Sequence, residues 1–226
     1  KRNGFNRLVE RILFEIITKL EKNLIKKDNF KKIFITHPIS KFNVQKIYVD
    51  ANISPSGLFY RYKKFDIEKI KKLHLDLLIR GGSGILKGEI LNICRLGIIS
   101  FHHGDNNLNR GGPPGFWEVF NREPSTGFII QRLTEELDGG DVIFKGKIAT
   151  SFLYMMNKCK LYLKSSIFLH QIIEKLSHED TKMDVFLKKP YSYPLYKFPN
   201  YYESFKYMFK SFFLGSKKLL GKFLGF

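Results

Sequence analysis

Two short apolar runs, DLLIRGG (76–82) and GIISFHH (97–103), lie fourteen residues apart. Each has the length and aliphatic content of a buried strand. The stretch between them contains LKGEILNICR (86–95), whose spacing predicts a helix. Strand, helix and strand at this separation favour a parallel pair joined by a crossover. The expectation is an α/β chain with an open, mostly parallel sheet and flanking helices. In such sheets ligands bind beyond the carboxyl ends of the strands. The glycines at 81, 82 and 84 and the histidines at 102 and 103 both follow strand ends.

The flanking sequence fits this plan. Residues 5–26 have helical spacing, with Phe5, Leu8, Ile12, Ile16 and Leu20 on one face. KKIFIT (31–36) and VQKIYVDANI (44–53) read as strands, the second ended by the turn signal Ser54-Pro55-Ser56-Gly57. FDIEKIKKLHL (65–75) reads as a helix with Asp66 as its N-cap. GFWEVFNR (115–122) is a short helix behind Pro113-Pro114. TGFIIQRLTEELDGGDVIFKGKI (126–148) reads as two strands joined by the turn EELDGG. A long helix follows at 154–177, a Pro- and Tyr-rich break at 190–200, and a helical tail at 201–226. The organisation expected is an α/β domain over 1–150, a packing helix and connection over 151–189, and a basic aromatic tail over 190–226.

With 226 residues the chain can bury a substantial core. Cys94 and Cys159 have no metal or redox spacing, which points to a reducing, cytoplasmic setting without disulfides. LVERILFEIIT (8–18) is interrupted by charge, so neither a secretory nor a transmembrane segment is expected. The first residue is Lys, and the true N-terminus is expected to be missing. The net charge is +18 but uneven. Residues 101–145 hold four Lys or Arg against seven acids, whereas 187–226 hold eight Lys and one Glu. The charge suits either a solvated surface or an anionic partner, which would meet the tail first.

Four constellations could carry chemistry. His102 and His103 point to opposite faces of an extended chain, so one can face a crevice while the other packs. Asp138, before Gly139-Gly140, is a turn residue that could reach a histidine if the turn folds back, making an acid–base pair. His102, His103, Asp105 and Asp138 make a poor metal set, because adjacent strand histidines diverge, and no metal is expected. Gly81-Gly82-Ser83-Gly84 follows a strand but lacks the full G-x-G-x-x-G spacing of a dinucleotide loop. On spacing alone each of these residues can equally be structural.

Together the motifs resemble the folate-dependent formyltransferase family over about residues 74–150. The family pattern is Asn-x-His at a strand end, a loop, then Leu-Asp-x-Gly. Here it reads Ser100-Phe101-His102, RGGPP (110–114) and ELDGG (136–140). The resemblance implies a Rossmann-like formyltransferase fold, with the first strand missing, and 10-formyltetrahydrofolate as formyl donor. It implies His102 as the imidazole that polarises the formyl carbonyl and Asp138 as its carboxylate partner. Gly82, Ser83, Gly84, Ile85, Leu86 and Leu137 would line the pterin pocket. Ser100 stands where the family has Asn, and its shorter side chain weakens the implied oxyanion contact. Asn106, Asn107, His103 or a water could compensate. The chain also resembles formyltransferase-like proteins with the string FHHGDN…RGGPPGFWEV…TGF…IQRLTEELDGG, which implies a small-molecule amine acceptor, an amino sugar first; methionyl-tRNA stands second, helped by the basic charge. A rival from another class is a non-catalytic module of this fold. Its basic tail, with Phe205, Phe209, Phe212 and Phe213 among lysines, would pack on a partner domain or dock on RNA or an anionic membrane.

Overall fold

The strand pair at the centre of the sequence forms as a parallel pair. A computed structural model describes residues 4–25, 38–82, 84–105, 110–136, 139–178, 185–186 and 195–211. In chain order the elements are α1 (Gly4–Leu24), β1 (Ala51–Ile53), β2 (Phe59–Tyr62), α2 (Lys64–Lys71), β3 (Leu78–Arg80) and β4 (Ile85–Leu86). Then come β5 (Ile98–His102), β6 (Arg110–Gly111), α3 (Phe116–Asn121), β7 (Ser125–Arg132), β8 (Asp141–Ala149), α4 (Tyr154–Leu176) and β9 (Leu195–Tyr196). A last helix, α5, covers 201–211. Short 3-10 turns lie at Ile39–Lys41 and Glu89–Asn92.

The main sheet has the order β3-β5-β7-β8. β3 pairs β5 in parallel, while β5–β7 and β7–β8 are antiparallel. The chain is therefore α/β with flanking helices, as expected. The parallel part of this sheet is the pair that ends in Gly81-Gly82 and His102, among the described residues. Within the antiparallel part, β7 and β8 are consecutive strands whose register runs to the pair Arg132–Asp141. A second sheet, β1-β2-β4, holds the parallel pair β2–β4, and β6 pairs β9 in parallel.

Alternation along β5 splits the core in two. Ile99 and Phe101 face α4, packing with Ile130, Leu169, Leu176, Phe144 and Phe168. Ile98 faces the other way, into Ile67 of α2, Ile90, Leu91 and Leu133. Each such aliphatic side chain, fully buried, contributes about 1.5–3 kcal/mol.

A third cluster joins distant parts of the chain: Phe14 and Ile17 of α1, Phe116, Trp117 and Val119 of α3, Tyr154 and Met155 of α4, and Tyr207 of α5. At its centre Glu21 accepts hydrogen bonds from Met155 N (2.8 Å) and from Tyr207 Oη, and Tyr207 Oη accepts from Tyr154 N (2.7 Å). The first amides of α4 thus find acceptors on two other helices, which is what orphan helix N-termini require. Asn157 does the same work lower in α4. It donates to Gly115 O (2.9 Å) and Thr126 Oγ1 (2.8 Å) and accepts from Ser151 N (3.0 Å).

Several local expectations change. The stripe Phe5, Leu8, Ile12, Ile16 and Leu20 of α1 is exposed, and Phe14 and Ile17 face the core instead. Both faces carry helical apolar spacing; the aromatic partners and the donors for Glu21 select the second. LKGEILNICR is not a continuous helix, because Ile85–Leu86 pairs with β2 and Gly88 (φ 84°) breaks the path before a 3-10 turn. Asp66 is not the N-cap of α2, which is Lys63. The Asp66 carboxylate lies in the first turn and accepts from Asp50 N (3.2 Å) and Lys69 Nζ (2.9 Å). Only the end of 44–53 is a strand, 31–36 lies outside the described residues, and so does the tail beyond 211.

Candidate active site

The site is built on the face of β5 and β7 turned away from α4. Ser100 pairs with Gln131 and His102 with Ile129 across the antiparallel ladder. Directly opposed residues share a face, so Ser100, His102, Ile129 and Gln131 form one floor. Two close approaches bound it. After β5 the chain turns back so that a Cβ on Gly127 would lie 2.6 Å from the Asp105 Cβ. Before β8, a Cβ on Gly140 would lie 2.6 Å from Arg132 O and 3.0 Å from both Cδ and Oε1 of Gln131. Glycine is needed at both places because backbone or side chain presses on them. The backbone at Gly140 therefore closes on Gln131. Asp138 and Leu137 themselves lie outside the described residues, as do Ser83, Asn106 and Asn107.

His103 is turned to the other face. Its ring stacks on Tyr162 of α4 (centroids 4.0 Å, planes 7° apart), and its Nε2 lies 3.0 Å from Ser165 Oγ. Ser165 Oγ donates to Tyr162 O (3.0 Å), so it accepts from His103 Nε2–H and leaves Nδ1 as the unprotonated nitrogen. Burial, then the charges of His102 and Lys158, hold the His103 pKa down at about 4. His103 is thus a neutral packing residue near pH 7.

A cavity of about 650 Å³ opens beside the end of β3, lined by Arg80, Gly82, Ser100, Phe101, His103 and Tyr162 among others. Its size suits a small-molecule site. Of the loop residues expected at a pocket, Gly82 lines this cavity. A Cβ on Gly84 (φ 83°) would run into the Tyr60 ring, and Ile85 and Leu86 are drawn into the second sheet, with Leu86 packed on the core. Arg80 donates from its guanidinium to Gly84 O, which closes the Gly-rich loop on itself.

No protein-family model matches the chain. A methionyl-tRNA formyltransferase of Clostridioides difficile is 39% identical over 106 residues, covering 46% of this chain and 34% of that protein. The methionyl-tRNA formyltransferase of Fusobacterium nucleatum is 28% identical over 194 residues, covering 79% of this chain and 58% of the relative. Over these stretches the chain is similar to methionyl-tRNA formyltransferases. It spans about a third to three fifths of the length of these two relatives. Among solved structures, glycinamide ribonucleotide transformylase 1 of Symbiobacterium toebii is 13% identical with a TM-score of 0.44, covering 49% of this chain and 53% of that one.

The site also draws on residues to which the sequence pattern assigned no role. Gln131 sits in an apolar strand, where its only sequence signal is a polar residue inside the run FIIQR. Gly127 and Gly140 lie in the strings TGF and ELDGG, but the strings do not say what presses on them. Tyr162 and Ser165 come from a helix some sixty residues after His103. Among the described residues no helix is long and apolar enough to cross a membrane.

Proposed function

We propose that the chain transfers a formyl group from 10-formyltetrahydrofolate to a primary amine. The observation that carries this is the floor of Ser100, His102 and Gln131 at a strand end, with the Gly140 backbone closing on Gln131. A folate donor needs backbone groups to read its pterin edges and polar groups near the reacting nitrogen. The open backbone at Gly81 and Gly82, where a Cβ would meet nothing within 4 Å, and the buried polar floor fit those needs. On this reading His102 polarises the formyl carbonyl and steadies the oxyanion. Asp138 holds His102 charged or takes the amine proton through a water. Ser100 adds a hydroxyl, and Gly82, Ser83, Gly84 and Leu137 border the pterin. The amine nitrogen bonds to the formyl carbon, the bond from that carbon to N10 of the folate breaks, and the proton lost by the amine ends on N10.

A nucleotide-linked amino sugar is the acceptor proposed first. Methionyl-tRNA is a second reading, favoured by the names of the curated relatives and by the net charge of +18. Calorimetry with a stable folate analogue tests the donor site, with wild type beside Asp138→Ala. Micromolar binding weakened by the substitution is expected. A folded wild type that does not bind the analogue defeats the proposal. His102→Ala is expected to lower formyl transfer by about 100-fold or more while the protein stays folded; full activity in that variant would dismiss His102 from the mechanism.

A further inference from the structure

Gln131 is 6% exposed, and its Oε1 is buried without a hydrogen-bond partner among the described residues. Buried amide oxygens are nearly always paired, so one left open needs a reason. Its position supplies one. Gln131 is directly opposite Ser100 on the site floor and one residue pair from His102, within reach of a long side chain. The Gly140 backbone lies on its carboxamide, at the turn that carries Asp138. Ser100 has a small side chain whose Oγ already donates to Phe101 O (3.3 Å). Among the described residues, Gln131 Oε1 is a buried acceptor of this floor without a partner.

We infer that Gln131 is the residue that reads the amine. This rests on the formyl-transfer reading above. A primary amine attacks with its lone pair, and an acceptor on one of its N–H bonds turns that lone pair toward the formyl carbon. A carboxamide oxygen accepts the N–H but is far too weak a base to remove the proton. Gln131 therefore orients the nucleophile while proton transfer stays with His102 and Asp138. Because the acceptor is neutral, it stabilises the unreactive ammonium form less than a carboxylate in its place would.

Gln131→Met keeps length and volume but removes the acceptor. The full chain would be assayed with a nucleoside-diphosphate-linked 4-amino sugar and with methionyl-tRNA, in parallel with calorimetry on the folate analogue. The expected result is a rise of about tenfold or more in KM for the amine that the wild type uses, with analogue affinity within twofold of wild type. The melting temperature should hold or rise, since an unpaired buried oxygen is removed; a purely structural glutamine would lower it. An unchanged amine KM overturns the assignment, and so does a fall in analogue affinity with the amine KM unmoved, which would place Gln131 on the donor. A wild type that formylates an amine normally alongside an equally active variant sinks only Gln131. A folded wild type that fails to bind the analogue, or that formylates neither amine, sinks the formyl-transfer reading and Gln131 with it.

Discussion

His103 is held between Phe101 and Tyr162, with ring centroids 5.4 and 4.0 Å away, and it titrates well below an ordinary histidine. A folded-state pKa of about 4 against 6.5 means that the unfolded chain takes up the proton first as pH falls. The contribution is fully present above pH 6.5 and is lost as pH drops through about 4, with a size of about 3 kcal/mol. His103→Phe keeps the stack and removes the proton site. Denaturant melts at pH 7 and pH 4.5 should show wild type losing more stability than the variant; parallel losses would show that His103 is not the sensor. At this scale the sequence was partly legible. Adjacent imidazoles on a strand must diverge, which the pattern states, but Tyr162 and Ser165 arrive from far along the chain and cannot be read beside SFHH. Gln131 was invisible for a related reason: the register that sets it against Ser100 is a property of two strands, not of one.

Among the elements, α1 shows how a helix with two apolar faces is resolved. Phe14 and Ile17 are buried, Glu10 and Glu21 beside them are buried as well, and the longer stripe from Phe5 to Leu20 is exposed. Periodicity finds both faces and ranks them by apolar count. The actual choice is made by partners, above all the donors Met155 N and Tyr207 Oη that meet Glu21. Burial raises the Glu21 pKa above 4.5, so its proton is bound more tightly in the folded state. The stability it lends is full below pH 4.5 and is lost as pH rises through its raised value. Glu21→Gln should flatten that loss, since one amide can accept from Met155 N and donate to Tyr207 Oη. Glu21→Ala should cost about 1–3 kcal/mol at neutral pH by leaving two buried donors without an acceptor. Thermal melts across pH 4 to 8 separate the two; an alanine variant as stable as wild type would show that the cluster is held by packing alone. The strands β5, β7 and β8 and the helix α4, by contrast, follow the sequence closely, because their apolar runs have one satisfactory period each. The stretch 86–95 does not, because Gly88 interrupts a pattern that composition alone makes helical.

At the scale of the molecule, the charge decides between acceptors more directly than the fold does. A tRNA acceptor would be held in part by phosphate contacts, so its KM should climb steeply between 50 and 200 mM salt, while an amino sugar held by hydrogen bonds should be nearly indifferent. A flat salt response with methionyl-tRNA would remove it as a natural acceptor. The same scale shows why the motifs could locate the site without describing it. They lie in about residues 74–150, whereas the core that steadies the region draws α1, α3, α4 and α5 together.

That gathering has a consequence in time. The Tyr207–Glu21 bond spans 186 residues, and the Phe14 ring rests on Phe198 at 4.8 Å. A ribosome adding about 5–20 residues per second needs roughly 10–40 s to travel from one partner to the other. Once α1 has left the exit tunnel it waits out the rest of that interval with its inner face unseated, and its outer stripe is apolar as well. The nascent chain therefore carries a two-sided greasy helix for most of its synthesis, and its yield in a cell should track the supply of chaperones that shelter such helices more closely than the stability of the finished fold.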